Sequence, residues 1–148
     1  MSQGGSSEPQ IMILTDIPLP PSDNHLFLNI PGRGRVKGPE YRDYCVEFEA
    51  WRLTHLKDLT EVRSMIKGDR MLGVEFVFGF TRGAIFCRDG SVKRLDVQNR
   101  FKAICDLLAA AMHTDDKFFF QISGKKCVRV KESVVAIIKV IEPGPDLS

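Results

Sequence analysis

The sequence predicts a single α+β domain in which a mixed β-sheet is packed with helices. Three observations lead there. Short runs rich in valine, isoleucine and phenylalanine alternate with period two, and two longer stretches repeat apolar residues every three or four positions. The two kinds of segment alternate only partly along the chain, which argues against a purely parallel α/β sheet. With 148 residues the chain can bury one real core. Its 43% apolar and 27% charged residues are those of an ordinary globular protein. The domain is expected over 11–143, between a disordered tail at 1–10 and a short C-terminal tail at 144–148.

Ile11 to Ile17 reads as the first strand, closed by the breakers Pro18-Leu-Pro-Pro-Ser-Asp-Asn24. Irregular chain is expected from there to Gly38, with Pro31-Gly-Arg-Gly-Arg35 inside it. That stretch is either flexible filler or a loop whose glycines let backbone and guanidinium groups approach phosphates. Pro39 suits the first turn of a helix, whose apolar face Tyr41, Cys45, Phe48, Trp51 and Leu56 carries on to about Lys67. Gly68-Asp-Arg70 is expected to close it. Met71 to Phe80 predicts a strand with Val74, Phe76 and Phe78 on one side and Glu75 on the other. A short undefined segment lies between Arg82 and Gly90.

The next helix has the clearest pattern. Phe101, Ile104, Cys105, Leu108, Ala111 and Met112 share a face, with Arg100 and Asp106 off it. Asp96 is expected at its N-cap, and His113 reads as a helix-end residue. Lys117 to Ser123 predicts a strand, Gly124-Lys-Lys a turn, and Glu132 to Glu142 the last strand, together a terminal hairpin.

Composition removes several classes. No apolar run approaches the roughly 20 residues that span a bilayer. The polar, Gly/Ser-rich start lacks the basic end and apolar centre of a signal peptide, so a cytoplasmic protein without a membrane partner is expected. Cys45, Cys87, Cys105 and Cys127 form no C-x-x-C pair and no histidine stands at zinc-finger spacing, so reduced, buried thiols are expected. A net charge of +2 matters less than its distribution. Arg33, Arg35 and Lys37 form one basic group. Arg88, Lys93, Arg94, Arg100 and Lys102 form a second, and Lys125, Lys126, Arg129 and Lys131 a third. On a common face these groups fit a polyanion; dispersed, they are solubilising charge.

The stretch Arg94-Leu-Asp-Val-Gln-Asn-Arg-Phe-Lys102, followed by His113-Thr-Asp-Asp116, carries the candidate chemistry. Asp96 and Asp116 lie far apart along a helix rising about 1.5 Å per residue. They meet only if the chain turns back and a strand brings Asp116 alongside the helix N-terminus. Carboxylates converging beside a lysine suit a divalent metal acting on a phosphodiester. Taken singly, each residue has a plainer reading. Asp96 is a helix cap, Lys102 and Asp106 an i,i+4 pair worth roughly 0.2–0.5 kcal/mol, Asp115-Asp116 a polar turn, and Gln98 and Asn99 ordinary first-turn residues.

Taken together, the residues resemble the RusA-type Holliday junction resolvases of bacteria, phages and prophages. Ile17-Pro-Leu-Pro-Pro-Ser-Asp-Asn24 is similar to that family's opening strand and P-P-S-x-N, and Tyr41-Arg-Asp43 to the Y-R-x that starts its first helix. Arg94-Leu-Asp-Val-Gln-Asn-Arg-Phe-Lys-Ala103 resembles the signature R-x-D-x-D-N-x-x-K-A, Asp106-Leu-Leu the D-A-L after it, and Asp115-Asp116 the D-D before the next strand. Lys125 or Lys126 falls near a basic residue at that strand's end. The match runs from the first strand to the last.

The resemblance implies a RusA-like fold and a homodimeric, magnesium-dependent endonuclease, with manganese able to substitute. Its partner would be branched DNA, four-way junctions above all, cut by paired symmetric nicks in recombination and repair. The bacterial cytosol and nucleoid would be its place. Asp96, Lys102 and Asp116 would be catalytic, and Asp96, Gln98 and Asp116 would hold the metal. Asn99 and Asp115 would support the site, while Arg33, Arg35, Lys93, Arg94, Lys125 and Lys126 would contact DNA. The departure is Gln98, which stands where the family has its second motif aspartate. An amide oxygen coordinates magnesium weakly and without charge. Three outcomes stay open: a site that tolerates glutamine with help from Asp115 or Glu75, a junction-binding protein that does not cut, or a glutamine introduced by design.

Overall fold

Phe76, Phe78 and Phe101 pack as a triangle of rings, each pair of centroids 5.9 Å apart. Around it the chain folds into one mixed sheet with helices against it. The computed structural model describes residues 10–22, 26–67, 70–95 and 97–142. The expected tails at 1–9 and 143–148, Asp23 to His25, the Gly68-Asp69 helix stop and Asp96 lie outside the described residues.

Strand β1 (Ile11–Ile17) is followed by a hairpin of β2 (Phe27–Ile30) and β3 (Gly34–Lys37), then helices α1 (Pro39–Thr54) and α2 (Leu56–Met65). Strand β4 (Leu72–Phe80), a one-turn helix α3 (Arg82–Ile85) and helix α4 (Phe101–Ala111) come next, and β5 (Phe119–Val128) and β6 (Ser133–Val140) complete the fold. The main sheet has the order β1-β6-β4-β5, with β4 and β5 parallel and β6 antiparallel to both its neighbours. This is the α+β class with a mixed sheet that the sequence predicts.

Alternation decides the two faces of the sheet. Leu72, Val74, Phe76, Phe78 and Phe80 of β4 and Val134, Ala136 and Ile138 of β6 are buried in the core. Tyr44, Phe48 and Trp51 of α1 join them, as do Ile104, Leu108 and Met112 of α4. Buried polar groups of α1 find backbone partners on and just beyond β1. The Trp51 indole donates to the Thr15 carbonyl and the Tyr44 hydroxyl to that of Pro18, both at 2.8 Å. No helix among the described residues is long and apolar enough to cross a membrane.

Several expectations are corrected. The single long helix to Lys67 is two helices, because His55 leaves helical geometry at φ −126° and ψ 28°. There Thr54 Oγ and His55 Nδ1 both engage the Trp51 carbonyl, at 2.9 and 2.8 Å, and compete with helix continuation. The irregular stretch before Gly38 contains the β2–β3 hairpin, whose turn rests on Gly32 and Gly34 at φ 80° and 74°. The terminal hairpin does not form, since β4 lies between β5 and β6. Gly124, Lys125 and Lys126 are not a turn but pair with Phe76, Val77 and Phe78 inside β5. Of the thiols expected to be buried, only Cys105 is; Cys87 is exposed and Cys45 and Cys127 are intermediate, all four being free.

Gly124 sits mid-strand because a Cβ there would come within 2.8 Å of the Phe101 ring and 3.0 Å of Phe78. Gly124→Ala should therefore unseat the start of α4 and cost about 1–3 kcal/mol by overpacking, read from urea denaturation. Unchanged stability would mean that the ring does not rest on this strand.

Candidate functional site

The site is built by helix α4 and by the way it ends. Its inward face consists of Ala103, Ile104, Cys105, Leu108, Ala109, Ala111 and Met112. That stripe leaves Lys102 exposed and Asp106 at the border of the core. Past Ala111 the chain enters a left-handed turn at His113, φ 57°. Thr114 N–H donates to the Ala109 carbonyl at 2.9 Å and His113 N–H to Ala110 at 3.1 Å, the paired bonds of a Schellman ending. The turn folds the chain back along the helix and brings Asp115 and Asp116 to Asp106. The Asp115 carboxylate then accepts the Lys117 N–H at 3.0 Å and caps a 3-10 turn, Asp116–Phe118, leading into β5.

Asp106, Ala109, Ala110, Thr114, Asp115 and Asp116 line a small cleft of about 200 Å3. The neighbouring acids titrate apart. Asp116 is pushed above the usual carboxylate range, first by its hydrogen bond to Asp106 and then by burial, its bond to Asp115 and the charges of both. Asp115 is held below that range, chiefly by the Lys117 N–H. One carboxylate therefore stays ionised while its neighbour retains a proton more readily.

Sequence reasoning treated Asp106 as the surface partner of Lys102, but it turns to Asp116. No Lys102–Asp106 ion pair forms among the described residues. Lys102 stands one helical turn, about 6 Å, before Asp106. Gln98 and Asn99 are exposed on a 3-10 turn, Gln98–Arg100, that precedes the helix. Gln98 is about 13 Å along the axis from Asp106. Asp116 thus reaches the middle of α4 rather than its N-terminus. The cap expected from Asp96 concerns a residue outside the described ones, and the α-helix itself starts at Phe101 with Arg100 at its N-cap position. Glu75, weighed as a substitute carboxylate, faces the sheet's other side with Gln121, Ser123, Ile137 and Lys139 and cannot join Asp116.

The basic residues divide. Arg100, expected on the basic surface, is half-buried, lies 5.4 Å over the Phe80 ring and donates Nη1 to the Pro20 carbonyl at 2.6 Å. Burial pushes its guanidinium pKa down, with the Glu132 charge opposing. It clamps the proline segment to the root of α4. Lys126 donates Nζ to the Leu95 carbonyl at 3.1 Å and so holds the residue before Asp96. Lys125, next along β5, alternates to the opposite face, so the two do not share one surface. Lys93 and Arg94 are exposed just ahead of Leu95.

Tyr41, at the start of α1, receives the hairpin and feels the charge of one of the acids. Burial raises its hydroxyl pKa most, and the Asp106 charge raises it further. The Lys37 ammonium lies 5.2 Å over its ring, Phe27 packs edge-on against it at 5.6 Å, and the Arg35 guanidinium lies 4.2 Å over Phe27. Tyr41 and Asp106 were visible only as parts of motifs, and nothing in their spacing announces that the charge of one reaches the other.

Hard carboxylate oxygens beside one another are the donors magnesium takes, and a divalent cation would relieve the repulsion that raises Asp116. Among the described residues, however, no three acidic, histidine or cysteine side chains are arranged to hold a metal ion. No model of a known protein family matches the chain, and no curated protein matches it in sequence.

A carboxyl whose folded pKa is raised contributes stability that is fully present below its ordinary value and lost as pH rises through the folded one. Asp116→Asn should therefore raise the melting temperature at neutral pH and leave it unchanged below the ordinary value of 3.8. A lower melting temperature at neutral pH would show that the ionised carboxylate is stabilising instead.

Proposed function

We propose that this chain is a magnesium-dependent, structure-specific endonuclease of the RusA type, acting as a homodimer on four-way DNA junctions. The observation that carries the reading is the run of charged and aromatic groups from hairpin to acids. Arg35 and Lys37 stand on Phe27 and Tyr41, the Asp106 charge is felt at the Tyr41 hydroxyl, and Asp106 bonds to Asp116 one turn from Lys102. A cationic arm that leads to clustered carboxylates fits a phosphodiester backbone delivered to a hydrolytic site.

In this reading Asp96, Gln98 and Asp116 would hold the magnesium ion, or manganese in its stead, once metal and DNA binding draw Asp116 away from Asp106 and across the roughly 13 Å of α4 that part it from Gln98. The ion would supply Lewis acidity to the attacked phosphate. Lys102 adds a fixed positive charge where the transition state gains negative charge. Asn99, exposed on the turn before α4, would support the site, as would Asp115, kept ionised by the Lys117 N–H. Arg33, Arg35, Lys93 and Arg94, all exposed, would bind backbone phosphates. Lys126 steadies Leu95 next to Asp96, and Lys125 meets DNA only where the backbone passes the outer edge of β5. Two copies related by symmetry would place two such sites on one junction, the arrangement that paired nicks require.

A non-catalytic junction-binding protein is the second reading. Gln98 favours it, since a neutral amide replaces an anionic ligand and weakens metal affinity. Incubation of a labelled four-way junction with magnesium or manganese, beside linear duplex, separates the two. Symmetric nicks confined to the junction are expected; selective binding without nicks would establish the binding protein.

Asp116→Asn should abolish cleavage while junction affinity holds or rises, because a negative charge facing phosphate is removed. Lys102→Ala should slow cleavage about 100-fold, the size of losing one preorganised charge. Gln98→Asp should speed it. A Gln98→Asp variant with wild-type rate would show that this position no longer serves the metal.

A further inference from the structure

The β2–β3 hairpin stands apart from the four-stranded sheet and is rooted at one end only. At the root, Gly38 N–H donates to the Leu26 carbonyl at 2.7 Å, Leu26 is fully buried, and Phe27 meets Tyr41. At the tip, Pro31, Gly32, Arg33 and Gly34 are exposed, and nothing lies within 4 Å of where a Cβ on either glycine would sit. The ribbon projects about 13 Å, the length of a four-residue strand.

Its two faces differ. The cross-strand register groups Phe27, Asn29, Arg35 and Lys37 on one side and Leu28, Ile30 and Val36 on the other. Among the described residues Phe27 packs against the core, whereas Leu28, Ile30 and Val36 stand outside it. Leu28 is 47% exposed in mid-strand, with Val36 directly opposite. A ribbon with no sheet to complete thus keeps an apolar strip on one face, with Arg35 and Lys37 on the other face and Arg33 at the tip. Stacking on Phe27 and Tyr41 limits the freedom of two of these cations before any ligand arrives.

A thin ribbon with an apolar face, cations on its back and one at its tip fits a surface that is flat and apolar but flanked by anions. Bases uncovered at the branch point of a DNA junction present that surface, since their faces are apolar and phosphates flank them. In an unbroken duplex the same faces are stacked and out of reach. Apolar side chains that enter a base step flanked by cationic contacts are a known way of holding distorted DNA.

We propose that the β2–β3 hairpin enters the branch point of junction DNA, its Leu28–Ile30–Val36 face resting on bases exposed there while Arg33 and Arg35 hold the flanking phosphates. The proposal rests on the junction-resolvase reading and adds the element that recognises the branch. The hairpin root packs on Tyr41, whose hydroxyl feels the Asp106 charge, so a hairpin seated at the branch brings the backbone next to it towards Asp116 and Lys102.

The test uses the full chain, without added divalent ion, and a four-way junction carrying 2-aminopurine either at the branch or within an arm. Wild-type protein should raise fluorescence severalfold at the branch and leave the arm probe unchanged. Leu28→Asn should abolish the rise and weaken junction binding about tenfold, with its melting temperature retained because the side chain lies outside the core. Arg33→Ala and Arg35→Ala should weaken binding and flatten its salt dependence, yet keep the rise at saturating protein. A wild type that binds and cuts junctions without the rise overturns the hairpin proposal alone, as does a Leu28→Asn variant that keeps it. A Leu28→Asn variant that changes the sedimentation coefficient but not the fluorescence assigns the strip to a second copy and also overturns it. A wild type with no preference for junction over linear duplex overturns the proposal and the resolvase reading together.

Discussion

Everything at the candidate site depends on the seat of Phe101. Its ring lies on the sheet where Gly124 of β5 offers no side chain, wedged against Phe76 and Phe78 of β4. Interiors are packed too densely for such a ring to be accommodated elsewhere without a void. Because the first residue of α4 is fixed to two parallel strands, the helical period does the rest. Lys102 falls on the exposed side, Asp106 follows one turn later at the border, and Leu108 and Met112 close over the core. The Schellman ending at His113 then returns Asp115 and Asp116 to the same helix. One steric contact and one turn thus set the spacing of three carboxylates and a lysine.

The electrostatics of that arrangement are not those of a relaxed surface. Asp116 shares a hydrogen bond with Asp106 and is pushed towards its neutral form, while Asp115 is kept ionised by a backbone amide. Acids crowded in this way gain from a cation, whether a metal ion or a lysine drawn in with a ligand. Opposite charge is near but not in contact, for the hairpin's Arg35 and Lys37 rest on aromatic rings. Tyr41 carries the Lys37 ammonium on its ring while its hydroxyl feels the Asp106 charge. Arg100 spends its charge on the Pro20 carbonyl and the Phe80 face to hold the proline segment against α4.

Much of the fold was legible where a local pattern and a tertiary role coincide. The strands β1 and β4 and the inward face of α4 came from periodicity, because each buries one face and that requirement writes itself into the sequence. The misreadings came where long-range contact overrides local signal. Gly124-Lys-Lys has the composition of a turn, yet its glycine answers to a phenylalanine more than twenty residues earlier in the chain. Pro31-Gly-Arg-Gly-Arg35 reads as loop because its glycines mask a turn between two four-residue strands. The break at His55 interrupts a pattern that continues on both sides of it.

The sequence by itself determined the α+β class, the amphipathic helix with a lysine and an aspartate four residues apart, the acidic turn beyond it, and the basic composition of the hairpin. These are local facts, carried by residue type and spacing. Tertiary structure decided which of them meet. It placed β4 between β5 and β6, turned Asp106 from Lys102 to Asp116, sent Lys125 and Lys126 to opposite faces, and buried Arg100 as a brace. The physical reason is that spacing along a chain fixes direction only within one helix or strand. Which side chains converge between elements depends on how densely packed surfaces fit, and that is a property of the whole core.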